Sequence, residues 1–251
     1  MCGAYLNKAK VLLHSKGFID NAANNFSMKL IDGFKTIDNI DFTCINASFI
    51  GSYPVYYRQL YYNGIGEVDN IIDVDFLNIF AIRNISRYMN ITKAMKDQIG
   101  KNTQSEIAVI AYSLHAPFIF ALRFAKRIRQ NIRTCVIVPD LPEMMNLQKK
   151  LNPIKRLLKR VDSRLIYRNL KFVDNYVLLT KHMKDYLSLK DKPYEIIEGV
   201  VSESELSQYL IAQKSLPEKK AFLYAGTLNY VYGIMDLVDA KDGFDHYDEI
   251  I

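Results

Sequence analysis

Cysteine is scarce in this chain, three among 251 residues, and Cys2, Cys44 and Cys135 have no metal-ligand spacing. Cys44 and Cys135 fall in strand-like apolar runs, so reduced, buried thiols of a cytosolic protein are expected rather than a disulfide framework. The N-terminal stretch MCGAYLNKAK lacks the apolar core of a signal peptide, and export is not expected. No run is long enough to span a bilayer. The nearest window, Ile107 to Leu122, is too short and is broken by Ser113, His115 and Pro117. No G-x-G-x-x-G follows a strand, no P-loop is present and no Cys or His cluster has metal spacing, so dehydrogenase, NTPase and zinc chemistry lose their main support. Ser113, His115 and Asp140 are the right types for a hydrolase triad, but there is no G-x-S-x-G elbow to present the serine.

What is present is ordinary for a soluble globular protein, with 49% apolar and 24% charged residues. The net charge of +6 is unevenly spread. Lys149 to Lys171 is densely basic, whereas the C-terminal end is acidic, which suits a surface for anionic lipid, phosphate or nucleic acid. Aromatics are not interleaved on the basic stretch, which weakens the nucleic-acid reading.

The organising stretch is Glu106 to Glu143, one βαβ unit. Ile107 to Tyr112 has the length of a buried strand, Leu114 to Ala121 shifts to helical spacing before Lys126, Arg127 and Arg129, and Thr134 to Val138 is a second buried strand ending at Pro139. A right-handed crossover makes the two strands parallel and brings their C-termini to one edge, where open α/β sheets bind ligands. The residues delivered there are Ser113, His115, Asp140 and Glu143.

Elsewhere, Ala9 to Ser15 reads as a helix or a strand. Asp20 or Asn21 caps a helix with Ala22, Phe26, Leu30 and Phe34 as its buried stripe. Phe42 to Ala47 is a strand. Phe49 to Gly66 is a long loop holding Tyr53, Tyr56, Tyr57, Tyr61 and Tyr62, which either stack on sugars or bases or cover the core edge. Ile71 to Phe76 is a strand and Ala81 to Ile99 a helix with Ile82, Ile85, Tyr88, Met89, Thr92 and Met95 at helical spacing. Ile154, Leu157, Leu158, Val161, Leu165 and Ile166 form the apolar stripe of a basic amphipathic helix, either a surface helix with a solvated charged face or a membrane-surface contact. Asn175 to Leu179 and Tyr194 to Ile197 are strands around a helix at His182 to Leu187. Residues 200–219 read as an inter-domain linker, and Ala221 to Ala225, Gly226 to Asn229 and Tyr230 to Ala240 as strand, turn and helix.

The phrases SKGFIDNAANNFSMKLIDGF, NASFIGSYP, VIVPDLPEMM, FVDNYVLLTKHMKDYL, IIEGVV and FLYAGTLNYVYGIMDLVDA, in that order, resemble GT-B glycosyltransferases, more closely the bacterial family-4 type that builds surface polysaccharides. The resemblance implies an α/β fold: a Rossmann-like N-terminal domain with a parallel sheet over residues 1–199, holding the acceptor, and over 220–251 the truncated start of a nucleotide-sugar-binding domain. It implies a retaining, hexosyl-type transfer from a nucleotide-sugar to a lipid-linked or saccharide acceptor. No cofactor or obligatory metal is implied, and the place of action is the cytoplasm or the inner face of the plasma membrane. The family begins with a buried strand, for which only Met1 to Tyr5 is available. Thr227 and Tyr232 stand where arginine and lysine are common, and the family's glutamate pair would lie beyond Ile251, so this chain alone is expected to be inactive.

The resemblance casts Gly17 and the Asn21 to Asn24 turn as the diphosphate-facing loop, since a helix N-terminus approached through glycine offers oriented N–H donors. Gly226 and Thr227 belong to donor binding on the other wall. His115 would hydrogen-bond donor sugar hydroxyls or the acceptor, and Asp140 would orient or deprotonate an acceptor hydroxyl, with Ser113 and Glu143 alongside. The plainer readings are a capping or packed histidine, a turn aspartate beside Pro139 and a turn glycine. A rival from another class is a non-catalytic partner that keeps the GT-B N-terminal fold within a polysaccharide-assembly complex.

Overall fold

The computed structural model describes residues 1–17, 19–144, 153–212, 221–222, 233–240 and 249–250. Gly226, Thr227 and Tyr232 lie outside the described residues, as do the Gly226 to Asn229 turn and the side chain of Lys155. The chain divides into two compact units, with Val200 in the first and Val201 in the second.

The first unit is a mixed α/β fold. Helix α1 (Lys8–His14) and helix α2 (Asn21–Lys35) precede strand β1 (Cys44–Asn46). Short strands β2 (Tyr61–Tyr62), β3 (Gly66–Val68), β4 (Ile71–Asp73) and β5 (Phe76–Leu77) lead into α3 (Ile82–Lys101). Then come β6 (Ala108–Tyr112), α4 (Ala116–Ile128) and β7 (Arg133–Val138), followed by α5 (Pro153–Asn169), β8 (Asn175–Leu178), α6 (Met183–Leu187) and β9 (Tyr194–Ile196). Strands β6, β7, β8 and β9 form a parallel sheet in that order, with Tyr112 opposite Ile137, as the crossover rule requires. β1 is parallel to β4, and β3 is antiparallel to β4 at the margin.

Residues 1–4 join these two sheets. Cys2 N–H donates to Ile45 O and Ala47 N–H donates to Cys2 O, while on the other side the Met1 ammonium donates to Ile110 O (2.6 Å) and Tyr112 N–H donates to Met1 O (2.8 Å). The N-terminal segment therefore runs parallel between β1 and β6. Read across, the order is β4, β1, residues 1–4, β6, β7, β8, β9, and the direction of winding reverses between residues 1–4 and β6. That reversal is the topological switch point of a doubly wound sheet.

Side chains alternate along the strands, and each parity builds its own core. Ala111, Val136, Val138, Tyr176 and Leu178 point to the face carrying α3, α4 and α5, where they meet Ile91, Phe118, Leu122 and Ile166. Tyr112, Ile137, Cys2 and Cys44 point to the opposite face against Ile31, with Phe26 and Leu30 at its margin. Burying each of the larger aliphatic or aromatic side chains contributes about 1.5–3 kcal/mol. All three cysteines are free thiols, and Cys2 Sγ and Cys44 Sγ touch at 3.5 Å.

Three expected stripes are rotated. In α2 the buried positions are Asn24, Ser27 and Ile31, and Ala22 is exposed. In α3 they are Arg87, Ile91, Thr92, Met95 and Ile99, whereas Ile82, Ile85 and Met89 face solvent. In α5 the apolar stripe itself is outside: Ile154, Leu157, Leu158, Val161 and Leu165 are exposed, and the helix is held through Ser163, Ile166 and Asn169. The tyrosine loop divides as well. Tyr57 and Tyr62 are core residues packed with Val11 and Phe76, while Tyr53, Tyr56 and Tyr61 are exposed.

In the second unit, helix α7 (Glu203–Ala212) occupies part of the expected linker; Glu205 N–H donates to the Ser202 hydroxyl at its start. Strands β10 (Ala221–Phe222) and β11 (Glu249–Ile250) pair in parallel, with α8 (Ile234–Asp239) between them in sequence. Among the described residues no helix is long and apolar enough to cross a membrane.

Candidate functional site

The switch point lies between residues 1–4 and β6, and the chain leaving each strand there is shaped by specific residues. Gly3 is required by close approach: a Cβ at this position would run into the Phe49 ring. Ser113, directly after β6, is buried and has φ of 78°, a left-handed conformation that costs on the order of 1–3 kcal/mol for a non-glycine residue. Its N–H donates to Ile137 O (2.8 Å), which fixes the turn against the end of β7. Two residues on, His115 occupies the N-cap position of α4 without capping it through its side chain. The ring packs instead against Phe49 (centroids 4.3 Å apart) and edge-on to Phe118 (6.3 Å). Asp140 follows β7 and is exposed, so His115 and Asp140 share the C-terminal edge of two adjacent parallel strands, as expected.

The edge has an acidic side and a basic side. Although Asp140 as a residue is exposed, neighbouring protein desolvates its carboxyl in part and raises it above its ordinary value, and the like charge of Asp20 raises it further. Asp20 is the N-cap of α2 and accepts from Ala23 N–H (3.0 Å). This changes the assignment of the predicted diphosphate loop, because the α2 N-terminus already faces a carboxylate of its own. Asn21 is exposed in the first turn of that helix. The Asn24 side-chain oxygen accepts from Tyr5 N–H (2.6 Å), a structural bond that ties α2 to the N-terminal strand. Gly17 has φ of 115° with open space around it, so a turn there needs glycine whatever else it does. Glu143 is drawn toward α5, its carboxylate accepting from the Tyr167 hydroxyl (2.7 Å).

On the basic side stand two residues that the sequence reading did not single out. Arg83 Nη1 donates to Ile50 O (2.9 Å) and Arg87 Nη2 donates to Ser48 O, while the Tyr5 hydroxyl donates to Phe49 O (2.9 Å). Three successive carbonyls, those of residues 48 to 50, are thus held by side chains from two elements. Arg87 is fully buried with its guanidinium 4.1 Å from the Phe76 ring. Burial drives its pKa well below the ordinary arginine value, with Arg83 adding to the effect. Arg83, Arg87, Ile91, Met95 and Ile99 recur every fourth position, which is the signal in the sequence that places both arginines on the buried face.

Burial, then the charges of Arg87 and Arg83, depress His115 from 6.5 to about 3. The imidazole is therefore neutral at neutral pH, able to donate through one nitrogen and accept through the other. A depressed histidine contributes stability that is present above the unfolded value and is lost as the pH falls toward the folded one. Between pH 7 and pH 5 this linkage should cost the protein about 2 kcal/mol, and His115→Gln should abolish that part of the loss. Urea unfolding at the two pH values is the measurement; identical losses in parent and variant would contradict it.

A groove of 470 Å³ lies at the other end of the sheet, bounded by Phe42 to Ile45, Ile107 to Ile110 and Met1. Its lining includes none of Ser113, His115, Asp140, Glu143, Arg83 and Arg87. Among the described residues no cluster of three His, Cys, Asp or Glu is placed to hold a metal ion. Compared with protein-family models and with curated proteins, the chain matches none.

Proposed function

We propose that this chain contributes the acceptor-side domain of a GT-B glycosyltransferase of the family-4 type, transferring a sugar from a nucleotide-sugar to a lipid-linked or saccharide acceptor in polysaccharide synthesis. The observation that carries the reading is the switch-point edge, where Asp140 and a neutral His115 stand at the ends of adjacent parallel strands. In this reading Asp140, its pKa raised toward the working pH, takes the proton of the acceptor hydroxyl as the new glycosidic bond forms. His115 hydrogen-bonds a sugar hydroxyl without adding charge. The donor is bound chiefly by the second domain, to which Gly226 and Thr227 are assigned by the family resemblance. The test is to incubate the purified protein with a panel of nucleotide-sugars and lipid-linked acceptors and measure nucleoside diphosphate release. Acceptor binding is expected, and acceptor-dependent release only when a complete nucleotide-sugar-binding domain is joined to the chain. Binding without release even then would make the protein a binding partner, and no acceptor binding at all would end the reading.

The exposed face of α5 supports action at an anionic membrane surface. Its apolar residues are flanked by Arg156, Lys159, Arg160, Arg164 and Arg168, and basic residues near such a surface contribute on the order of 1 kcal/mol each. Changing Arg156, Lys159, Arg160 and Arg164 to glutamine should weaken sedimentation with phosphatidylglycerol vesicles roughly a hundredfold or more, and salt should weaken the parent's binding. Undiminished sedimentation of the variant would reject the surface.

A further inference from the structure

The basic side of the edge holds more positive charge than its structural role requires. Arg83 and Arg87 each hold one backbone carbonyl, at Ile50 and Ser48, and His115 packs on the ring of the intervening Phe49. Three consecutive residues span at most about 11 Å, so the three side chains converge on one short stretch of chain. No carboxylate among the described residues answers them. Among the described residues neither arginine makes an ion pair, and no acidic residue lies close enough to raise either guanidinium's pKa. Arg87 is 4% exposed and its Nε has no hydrogen-bond partner. A buried guanidinium is ordinarily matched by a counter-charge and by partners for all its N–H groups. Arg83 stands one turn nearer the N-terminus of α3, is partly exposed, and has donors beyond the one that holds Ile50.

We infer that Arg83 and Arg87, in the first two turns of α3, bind a phosphate group of a substrate, with His115 at its margin. The site takes a phosphate rather than a single carboxylate because the charges to be met are two guanidiniums and the positive end of a twenty-residue helix. The anion reaches Arg83 first and sets its charge against Arg87 behind it. Identifying that phosphate with the diphosphate of a nucleotide or of a lipid-linked acceptor rests on the glycosyl-transfer reading; the anion site itself does not. The assignment moves the phosphate from the α2 N-terminus, where Asp20 and Asp140 repel it, to the opposite side of the same edge.

Titration calorimetry with inorganic pyrophosphate at low salt tests this on the intact chain. Binding is expected, and Arg83→Gln should weaken it at least tenfold in a variant whose melting temperature, measured alongside, shows that it still folds. Failure of the parent to bind, or equal affinity in the variant, would overturn the site. Competition then separates the sources: displacement by uridine diphosphate assigns the phosphate to the nucleotide, displacement by farnesyl diphosphate assigns it to the lipid, and displacement by neither overturns its identification with a substrate. Pyrophosphate binding that depends on Arg83 in a protein with neither acceptor binding nor transfer activity would keep the anion site and remove the glycosyltransferase. Transfer activity with no dependence on Arg83 would do the reverse.

Discussion

Asp140→Asn is expected to lower acceptor-dependent turnover, assayed with a complete nucleotide-sugar-binding domain joined to the chain, about 10²- to 10⁴-fold, the range of a lost general base, while leaving the Michaelis constant for the nucleotide-sugar unchanged. The asparagine fits the same space and can still accept a hydrogen bond, but it cannot take a proton. The pH profile separates this role from mere positioning. A base works in its ionised form, so activity should rise as the pH passes through the Asp140 pKa, which burial and then Asp20 hold above the ordinary carboxylate value. Asp20→Asn removes the like charge while keeping a competent helix cap, and should move the acid limb of kcat/KM to lower pH. An Asp140→Asn protein as fast as its parent would remove this residue from the mechanism.

A larger effect on stability is expected at Asp73, which is 3% exposed in the middle of the network behind the site. Its carboxylate accepts from Asn46 Nδ2 (2.7 Å), the Tyr62 hydroxyl (3.2 Å) and Ile65 N–H (3.1 Å). Asn46 Nδ2 also donates to Ala4 O, and the Ser48 hydroxyl, 2.8 Å from that of Tyr62, donates to the same carbonyl. Asp73→Ala would leave three donors facing an apolar gap, at about 1–3 kcal/mol for each buried group left unmet, and a total loss of about 3–5 kcal/mol is expected once partial relaxation is allowed. Such a loss is a large fraction of the stability of a domain this size. Urea unfolding measures it, with Tyr62→Phe as the milder comparison at about 1 kcal/mol. A loss under about 1 kcal/mol for Asp73→Ala would mean that the donors find other partners.

The βαβ unit was legible because strands buried on both faces read as continuous apolar runs, and Ile107 to Tyr112 and Thr134 to Val138 are such runs. Their shared edge follows from handedness alone, so the sequence by itself places Ser113, His115 and Asp140. The basic side was not legible by the same route. Reading hydrophobic periodicity in α3 assigns Ile82, Ile85 and Met89 to the core and every arginine to solvent, whereas the fold buries Arg87 because the Ser48 carbonyl needs a donor. In α2 the same habit left Asn24 and Ser27 out of the buried face, where Asn24 turns inward to meet the Tyr5 N–H and Ser27 fills close packing. α5 fails in the opposite sense: its apolar stripe was correctly identified, but periodicity carries no information about which face a protein leaves uncovered.

Residues 1–4 are the only described backbone through which the hydrogen-bonded sheet continues from β1 to β6. The sheet is therefore two panels sewn along a narrow seam, and the parts of the candidate site lie on both sides of it. Phe49 and the carbonyls of residues 48 to 50 belong to the β1 panel, while Ser113, His115 and Asp140 belong to the β6 panel. A mismatch of about 1 Å between reacting groups can cost a hundredfold in rate. The alignment tolerance of this site is set by how tightly four residues of backbone stitch the panels together.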